Sequence, residues 1–191
     1  ALPRLHPDYC HQNDTWPSLL RKQGHRVTQI SLGGGTSHDL AIQCNYYRKE
    51  TIDIDLVIVQ SGIVDCAPRF ARRLELKLYK VLPLIGKGII KLLNRNWVRQ
   101  VRKITYMSPK KYQKNIQQLK QNFQPHPVLF LGILPVQEAY EVQLRGITKN
   151  TALYNHILKE TGSYIDLSQI PATGIMSDFH HLNSQGHQYI F

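Results

Sequence analysis

The sequence has few cysteines and no paired cysteine motif. Cys10, Cys44 and Cys66 are the only three among 191 residues. A disulfide scaffold needs an even, closely spaced set, and a structural zinc site needs paired cysteines or histidines. The spacing argues against both classes, and we expect three reduced thiols with a packing role.

Long apolar runs are also missing. No stretch of about 18 uncharged apolar residues occurs, which argues against a membrane-spanning helix. No basic-then-apolar signal segment opens the chain, so a cytoplasmic location is favoured over export. The chain starts at Ala1 without a methionine, and we expect it to be truncated there. The 42% hydrophobic and 19% charged residues are typical of a single globular domain spanning residues 1–191.

Acidic residues number only 13 against 24 lysines and arginines, a net charge of +11. Residues 69–111 hold 13 of these cations and one acid, Glu75, so we expect a basic helical insertion there. Its apolar positions either pack on a sheet while the charges face solvent, or form a platform for an anionic membrane or glycan. Nucleic acid is disfavoured, because aromatic residues are few and no binding motif is visible.

Buried strands and helices alternate along the rest of the chain. Residues 52–60 and 127–135 are apolar on both faces, which is typical of strands buried in a parallel sheet. This order predicts βαβ units with helices on both sides of the sheet. Shorter strands are predicted at residues 27–32 and 164–167. Helices are predicted at 15–24, 74–103, 112–123 and 149–160, and two more begin at 36 or 37 and at 183 or 184. The helix at 74–103 is expected to break near Pro83 and at Gly86 to Gly88.

Asp178 and His181 offer two parts of a hydrolytic triad. The carboxylate can meet one imidazole nitrogen and leave the other free to act as a base. Taken alone, the pair also fits a turn cap beside a surface histidine. The glycines Gly33, Gly34 and Gly35 follow a predicted strand and open a helix, so their N–H groups suit an oxyanion hole or a phosphate. Three glycines also mark any tight turn.

A third segment, from Ser61 to Asp65, follows the best predicted strand, where open α/β sheets place their sites. The glycine turn, this segment and the Asp178/His181 pair, in this order, resemble the SGNH (GDSL) hydrolase family of serine esterases and acyl hydrolases. The resemblance extends from an early helix to the end of the chain, on Trp16 to Leu20, Leu182, Asn183, Gly186 and His187.

The resemblance implies a three-layer α/β/α fold with a parallel, flavodoxin-like sheet, and it requires no metal or organic cofactor. His181 would be the general base, Asp178 its orienting carboxylate, and Gly34 an oxyanion N–H donor. Gly33 and Gly35 are the alternative registers for that donor. The other residues implied are Asp65, with a structural role, and the site-lining Gly62, Val64 and Arg69.

Two departures from the family pattern stand out. Val64 replaces the asparagine of the third block, and losing such an oxyanion donor typically costs ~10²–10³ in rate. Arg69 and Gln60 are the candidate replacements. The Gly-Asp-Ser block is absent, and we expect the nucleophilic serine one to a few residues before Ala1. Substitutes inside the chain are Ser37, which more naturally caps a helix, Ser61, and Cys66, which more naturally packs.

These features favour a serine hydrolase that acts on carboxylic esters of small molecules or glycans. O-acetylated carbohydrate is the preferred substrate class, by analogy with the family. The alternative is a non-catalytic relative that binds an anionic membrane or glycan through its basic segment.

Overall fold

The computed structural model describes residues 3–47, 53–82 and 85–191. Its sheet is parallel, with the strand order β1-β2-β3. In register, Val59 of β1 lies beside Phe130 of β2, and Phe130 lies beside Tyr164 of β3. The strands are β1 (Val57–Gln60), β2 (Val128–Leu131) and β3 (Ser163–Ile165).

Helices separate the strands, as parallel pairing requires. Side-chain caps begin two of them: Ser108 accepts from the Lys111 N–H at 3.4 Å with Pro109 in the first turn, and Asn183 accepts from the Gly186 N–H at 3.0 Å. The helices are α1 (Trp16–Lys22), α2 (Ser37–Tyr47), α3 (Ile63–Cys66), α4 (Arg73–Val81), α5 (Ile85–Leu93), α6 (Asn96–Arg102), α7 (Pro109–Asn122), α8 (Glu138–Gln143), α9 (Ile147–Thr161) and α10 (Ser184–Ile190).

Apolar clusters cover both faces of the sheet because alternate strand residues point to opposite sides. Val59 and Phe130 belong to a cluster built on α2, α7 and α9. Ile58 and Leu131 belong to another, which includes Trp16 of α1. The chain is thus a mixed helix and sheet fold whose parallel strands have apolar clusters on both faces.

Residues 27–32 were expected to form a strand, and this prediction is wrong. The segment carries no strand in the structure. A strand is defined by hydrogen bonds to a neighbour, and within the described residues only β2 pairs with β1. The β-forming side chains are present, but the sheet of the described residues does not include this segment.

Other boundaries also differ from expectation. The predicted strands 52–60 and 127–135 are shorter, at Val57–Gln60 and Val128–Leu131, and Ile52 lies outside the described residues. The predicted break at Gly86 to Gly88 is wrong, because both glycines lie inside α5. Here helix packing outweighs the cost of glycine, about 1 kcal/mol per residue. The predicted break near Pro83 falls on residues that are not described.

The three cysteines are buried and unpaired, in agreement with the expected packing role. Burial raises the pKa of Cys44 to about 11 and, with the nearby Asp65 charge adding to it, that of Cys66 to about 12. Among the described residues, no helix has both the length and the apolar character needed to cross a membrane.

Candidate active site

The loop before α10 brings Asp178 and His181 into direct contact. The Nδ1–H of His181 donates to Oδ2 of Asp178 at 2.6 Å. The other carboxylate oxygen accepts the backbone N–H groups of His180, at 3.2 Å, and His181, at 3.1 Å. Asp178 therefore caps the turn and orients the imidazole at the same time, which combines the two interpretations that the sequence left open.

The loop is fixed by its own backbone. The N–H of Met176 donates to the His181 carbonyl at 2.8 Å, and the N–H of Phe179 donates to the Met176 carbonyl at 2.9 Å. Phe179 has φ 65°, a left-handed conformation that is rare for a bulky residue. Its ring stacks on Tyr140 with centroids 5.6 Å apart, and the His180 ring lies 5.9 Å from the same tyrosine. Strain of this kind persists where the surroundings hold it.

The environment favours a neutral imidazole beside an ionised carboxylate. Burial lowers the pKa of His181 below 6.5, and the His180 and Arg4 charges lower it further, while Asp178 opposes them. Burial of Asp178 acts to raise its pKa, but the hydrogen bonds from His181 and His180 outweigh that effect and lower it below 3.8. At neutral pH the imidazole is thus able to accept a proton.

Arg4 contacts the ring nitrogen that faces away from Asp178. Its guanidinium donates to Nε2 of His181. Arg4 is held there because its backbone pairs with Cys10 in both directions at 2.9 Å, and Asp8 accepts from the Ser177 N–H at 2.5 Å. Nothing in the local sequence indicates this contact, because the two side chains are 177 positions apart.

The glycine turn precedes α2. Gly34 has φ 68°, which a glycine adopts without steric cost. A Cβ on Gly35 would lie 2.7 Å from the Leu32 Cβ, and the Gly35 N–H already donates to the Leu32 carbonyl at 3.2 Å. Among the hydrogen bonds of the described residues, none engages the N–H of Gly33 or Gly34. These two N–H groups are therefore the ones available to a substrate oxygen.

The segment after β1 is tied to the glycine turn through a buried carboxylate. Asp65 is fully buried, and its Oδ1 accepts from the N–H of Ser37 at 2.9 Å and from the Ser37 hydroxyl at 2.8 Å. Burial raises the pKa of Asp65 to about 6, although the Ser37 bonds act to lower it. At Gly62, φ is 131° and a Cβ would meet the Ile133 Cδ1 at 2.6 Å. These positions fix the backbone around the site.

Val64 lines the site without offering a side-chain donor. The guanidinium of Arg69 lies 4.5 Å from the centre of the Tyr106 ring, and its Nε is buried with no hydrogen-bond partner. Gln60 accepts from the Trp16 indole N–H at 3.1 Å, which fixes the amide at the end of β1. In the described part of the chain, neither candidate donor forms a hydrogen bond with the His181 ring.

A groove of about 940 Å³ connects these elements. Its walls include the three glycines and His181, and it runs along residues 57–60 of β1 and residues 27–32. The structure thus brings His181 and the glycine turn to one groove. In the described chain, the edge of β1 away from β2 has no paired strand. An unpaired edge inside a groove is a template for one more strand.

The internal substitutes for a nucleophile fit poorly. Ser37 is buried and hydrogen-bonded to Asp65 and Asn115. The Ser61 hydroxyl is buried without a partner, and Cys66 is inaccessible. Within the described residues, no serine, threonine or cysteine side chain forms a hydrogen bond with His181.

Asp178, His180 and His181 also form the one cluster in the described chain with a spacing suited to a metal ion, with ligand atoms within 4.8 Å of one another. However, Asp178 Oδ2 and His181 Nδ1 already bond each other, and Nδ1 of His180 donates to the Asp178 carbonyl at 2.6 Å. This internal pairing fits an acid–base role better than metal ligation.

Comparison with solved structures shows the fold. A mutant of an acetyl-xylooligosaccharide esterase from Geobacillus aligns with 92% of this chain and 77% of its own, with a TM-score of 0.54 and 14% identity. An aryl esterase from M. smegmatis aligns with 94% of this chain and 81% of its own, with a TM-score of 0.52 and 11% identity. No family model and no curated protein matches. The fold is SGNH-like.

Sequence reasoning missed two features of the site. Tyr140 on α8 supports the histidine loop by stacking, and α8 itself was not predicted. Arg4 was not considered as a site residue. Both contacts join segments that are distant in sequence, so only the packed structure reveals them.

Proposed function

We propose that this protein is a serine hydrolase of carboxylic esters and that His181 is its general base. The observation that carries the proposal is the 2.6 Å bond between Asp178 and His181, in a groove that also holds a glycine turn with unengaged N–H groups. Base, orienting carboxylate and oxyanion donors are the parts that acyl transfer needs. Gly34 is the proposed donor, with Gly33 beside it.

The nucleophile is a serine on a strand that pairs with the free edge of β1. A parallel strand in this position would end at the same edge as β1, where Gly62 and His181 lie. Its side chains would fill the groove between residues 57–60 and 27–32. The same strand would lie between β1 and residues 27–32, which also line the groove. This serine lies outside the 191 residues, as the missing Gly-Asp-Ser block indicates.

The reaction then runs in two steps. The serine oxygen attacks the ester carbonyl as Nε2 of His181 takes its proton, and Asp178 stabilises the imidazolium through Nδ1. The Gly34 N–H donates to the oxyanion. Collapse expels the alcohol, which receives the proton from His181, and water then releases the acid from the acyl-enzyme by the same route. Arg4 must move from Nε2 for the serine to approach.

The preferred substrate class is an O-acetylated carbohydrate or another small ester. Both aligned structures are esterases, and one is named for acetylated xylo-oligosaccharides. The groove is open and lined by polar and apolar groups, which suits a ligand with a polar body and a short acyl group. The full three-layer, flavodoxin-like arrangement belongs to the same proposal, with residues 69–111 as an insertion in a single domain.

Val64 leaves the oxyanion with one donor fewer than the family pattern provides. Arg69 is the better replacement, because its buried Nε lacks a partner. The amide of Gln60 is oriented by Trp16 and is the second choice. With neither engaged, we expect turnover ~10²–10³ slower than with a side-chain donor.

The decisive experiment is labelling with a fluorophosphonate probe. Protein produced from its natural gene is treated with the probe, and the modified residue is located by peptide mass spectrometry. We expect one labelled serine in a strand that precedes residue 1, and loss of labelling in His181→Ala. Absence of labelling, or labelling that His181→Ala leaves unchanged, contradicts the proposal.

The second candidate function is a non-catalytic relative that binds an anionic surface. Two observations favour it: Val64 replaces an oxyanion donor, and Arg4 occupies Nε2 of His181. The gene sequence before residue 1 discriminates the two functions, because a Gly-Asp-Ser block there supports the enzyme and its absence supports the binding module.

A further inference from the structure

Helix α4 exposes a stripe of apolar side chains. Leu74 is 78% exposed, Leu78 60% and Val81 76%. Residues four and seven positions apart lie on one face of a helix. Apolar residues at this spacing normally face the core, so a stripe that faces solvent indicates a surface that binds something apolar.

Helix α6 repeats this pattern, and α5 adds one exposed apolar residue. Trp97 and Val101, four residues apart on α6, are both exposed, while Val98 between them is buried. On α5, Leu92 is exposed. Packing of these positions on the sheet, one of the interpretations left open by the sequence, is therefore wrong for the exposed residues, whereas Val98 is buried.

Cations surround the exposed apolar residues. Lys77 on α4, Lys91 on α5 and Arg95 ahead of α6 are all exposed. Glu75, the only acid between residues 69 and 111, pairs with Arg102 at 2.6 Å. No acidic side chain is left in the described part of this segment to compete with an anionic partner.

The three helices are attached to the body next to the glycine turn. The segment begins and ends at a backbone bridge, where the N–H of Arg69 donates to the Ile104 carbonyl at 2.8 Å. Arg73 pairs with Asp39 at 3.1 Å, and its guanidinium reaches the Gly34 carbonyl at 3.5 Å. A surface that binds α4 would thus lie beside the entrance to the groove.

We propose that α4, α5 and α6 dock this protein on an anionic lipid bilayer. Exposed leucine, valine and tryptophan side chains enter the boundary between headgroups and acyl chains, and the lysines and arginines contact anionic headgroups. A nucleic acid or an anionic glycan would use the cations but not the apolar stripe. The combination of both on short helices is what favours a bilayer.

Co-sedimentation with vesicles tests this inference without any need for catalysis. Protein is mixed with vesicles of phosphatidylcholine alone or with about 30% phosphatidylserine. One variant carries Leu74→Ser with Leu78→Ser, and its matched control carries Ile42→Ser with Tyr46→Ser, an exposed apolar pair on α2 with no cation in that helix. Lys77→Glu with Lys91→Glu is matched by Lys110→Glu with Lys114→Glu on the exposed side of α7.

We expect binding to the anionic vesicles only, weakened by salt, and reduced about tenfold or more by either change in α4 and α5. Both matched controls should bind within about threefold of the natural protein, since they alter surface away from the stripe. Circular dichroism confirms that each variant is folded. Failure to bind anionic vesicles overturns the proposal. A second outcome would also overturn it: vesicle binding that depends on the lysines but not on Leu74 and Leu78, in a protein that also binds a single-stranded oligonucleotide or heparin.

Discussion

The groove and the cationic helices lie side by side but place their polar and apolar groups in opposite ways. Around the groove, two carboxylates are paired: the buried Asp65 accepts from Ser37, and the partly buried Asp178 holds His181 at 2.6 Å. On α4 and α6, apolar groups such as Leu78 and Trp97 are exposed and have nothing over them in the described chain. Burial of a polar group costs free energy unless the group is hydrogen-bonded. An exposed apolar stripe does not contribute the stabilisation that its burial would give. The first region therefore gains internal order from its polar contacts, whereas the second leaves apolar side chains open to an external surface.

Among the substitutions that distinguish the groove from the cationic helices, Asp178→Asn is expected to have the largest effect, a loss of ester hydrolysis. The amide can still cap the turn but no longer stabilises the imidazolium or selects its tautomer, so ester hydrolysis by the protein from its natural gene should fall by ~10⁴ in kcat. Hydrolysis of p-nitrophenyl acetate measures it. Asp166→Asn is the control, because Asp166 only accepts from the Ser168 N–H at 2.9 Å. Equal losses in the two variants would contradict the role of Asp178.

The next largest effect concerns stability. Asp65→Ala leaves the N–H and hydroxyl of Ser37 buried without an acceptor, and should lower the free energy of unfolding by about 3 kcal/mol. Asp65→Asn keeps an oxygen in the place of Oδ1, which accepts both bonds, so a change within about 1 kcal/mol is expected. Urea denaturation measures both. A similar loss in the two variants would mean that the charge, not the acceptor, is needed.

Asp65→Asn should also change how the stability of the protein depends on pH. Because the pKa of Asp65 is raised to about 6 from 3.8, the folded state binds more protons between these values, and the contribution of this group to stability falls as pH rises through that window. Asp65→Asn removes this contribution, so its stability relative to the natural protein should increase from pH 4 to pH 6. A constant difference across the range would contradict the buried ionisation.

A smaller effect is expected from Arg4→Ala. The Arg4 charge is one of the causes that lower the pKa of His181, after burial and the neighbouring His180. Its removal should raise that pKa and move the acid limb of the kcat/KM profile to higher pH, because the base must be unprotonated. Arg4→Lys keeps the charge and should leave the limb nearer its original position. A shift to lower pH in Arg4→Ala would show that Arg4 does not act on the base in this way.

The smallest effect on stability is expected from substitutions of the exposed apolar residues on α4 and α6. Leu78→Ser and Trp97→Ser should each change the free energy of unfolding by no more than about 0.5 kcal/mol, because the side chains are exposed. Val98→Ser, the buried neighbour of Trp97, should cost about 2–3 kcal/mol through the lost burial and an enclosed hydroxyl. Thermal unfolding of the three variants is the measurement. A large loss for Leu78→Ser would mean that α4 packs against the body and is not a docking face.

How far the sequence predicts the structure depends on the range of the interactions involved. Helix starts at Ser37 and Ser184 follow from local caps and turns, and the sequence places each of them within one residue. Residues 27–32 have the composition of a strand but are not part of the sheet in the described chain, so their composition misleads. Gly86 and Gly88 were expected to break a helix that neighbouring contacts sustain.

In the candidate site, too, the contacts within a short segment were predictable from the sequence and those between distant segments were not. The contact between Asp178 and His181 spans three residues, so a local pattern reveals it. Whether the glycine turn lies near that pair is a question of topology, and the structure places both along one groove. The assignment of Gly34 as oxyanion donor and the position of the serine stay predictions. Arg4 and Tyr140 came only from the structure.

Three features can be read from the amino-acid sequence: the alternation of strands and helices, the concentration of positive charge in residues 69–111, and the pairing of a carboxylate with a histidine near the end of the chain. These depend on side-chain chemistry and on neighbours a few residues away. The tertiary structure alone decided which apolar residues are exposed, which edge of β1 is open and what occupies Nε2 of His181. Those outcomes depend on contacts between distant segments, which a linear pattern does not encode.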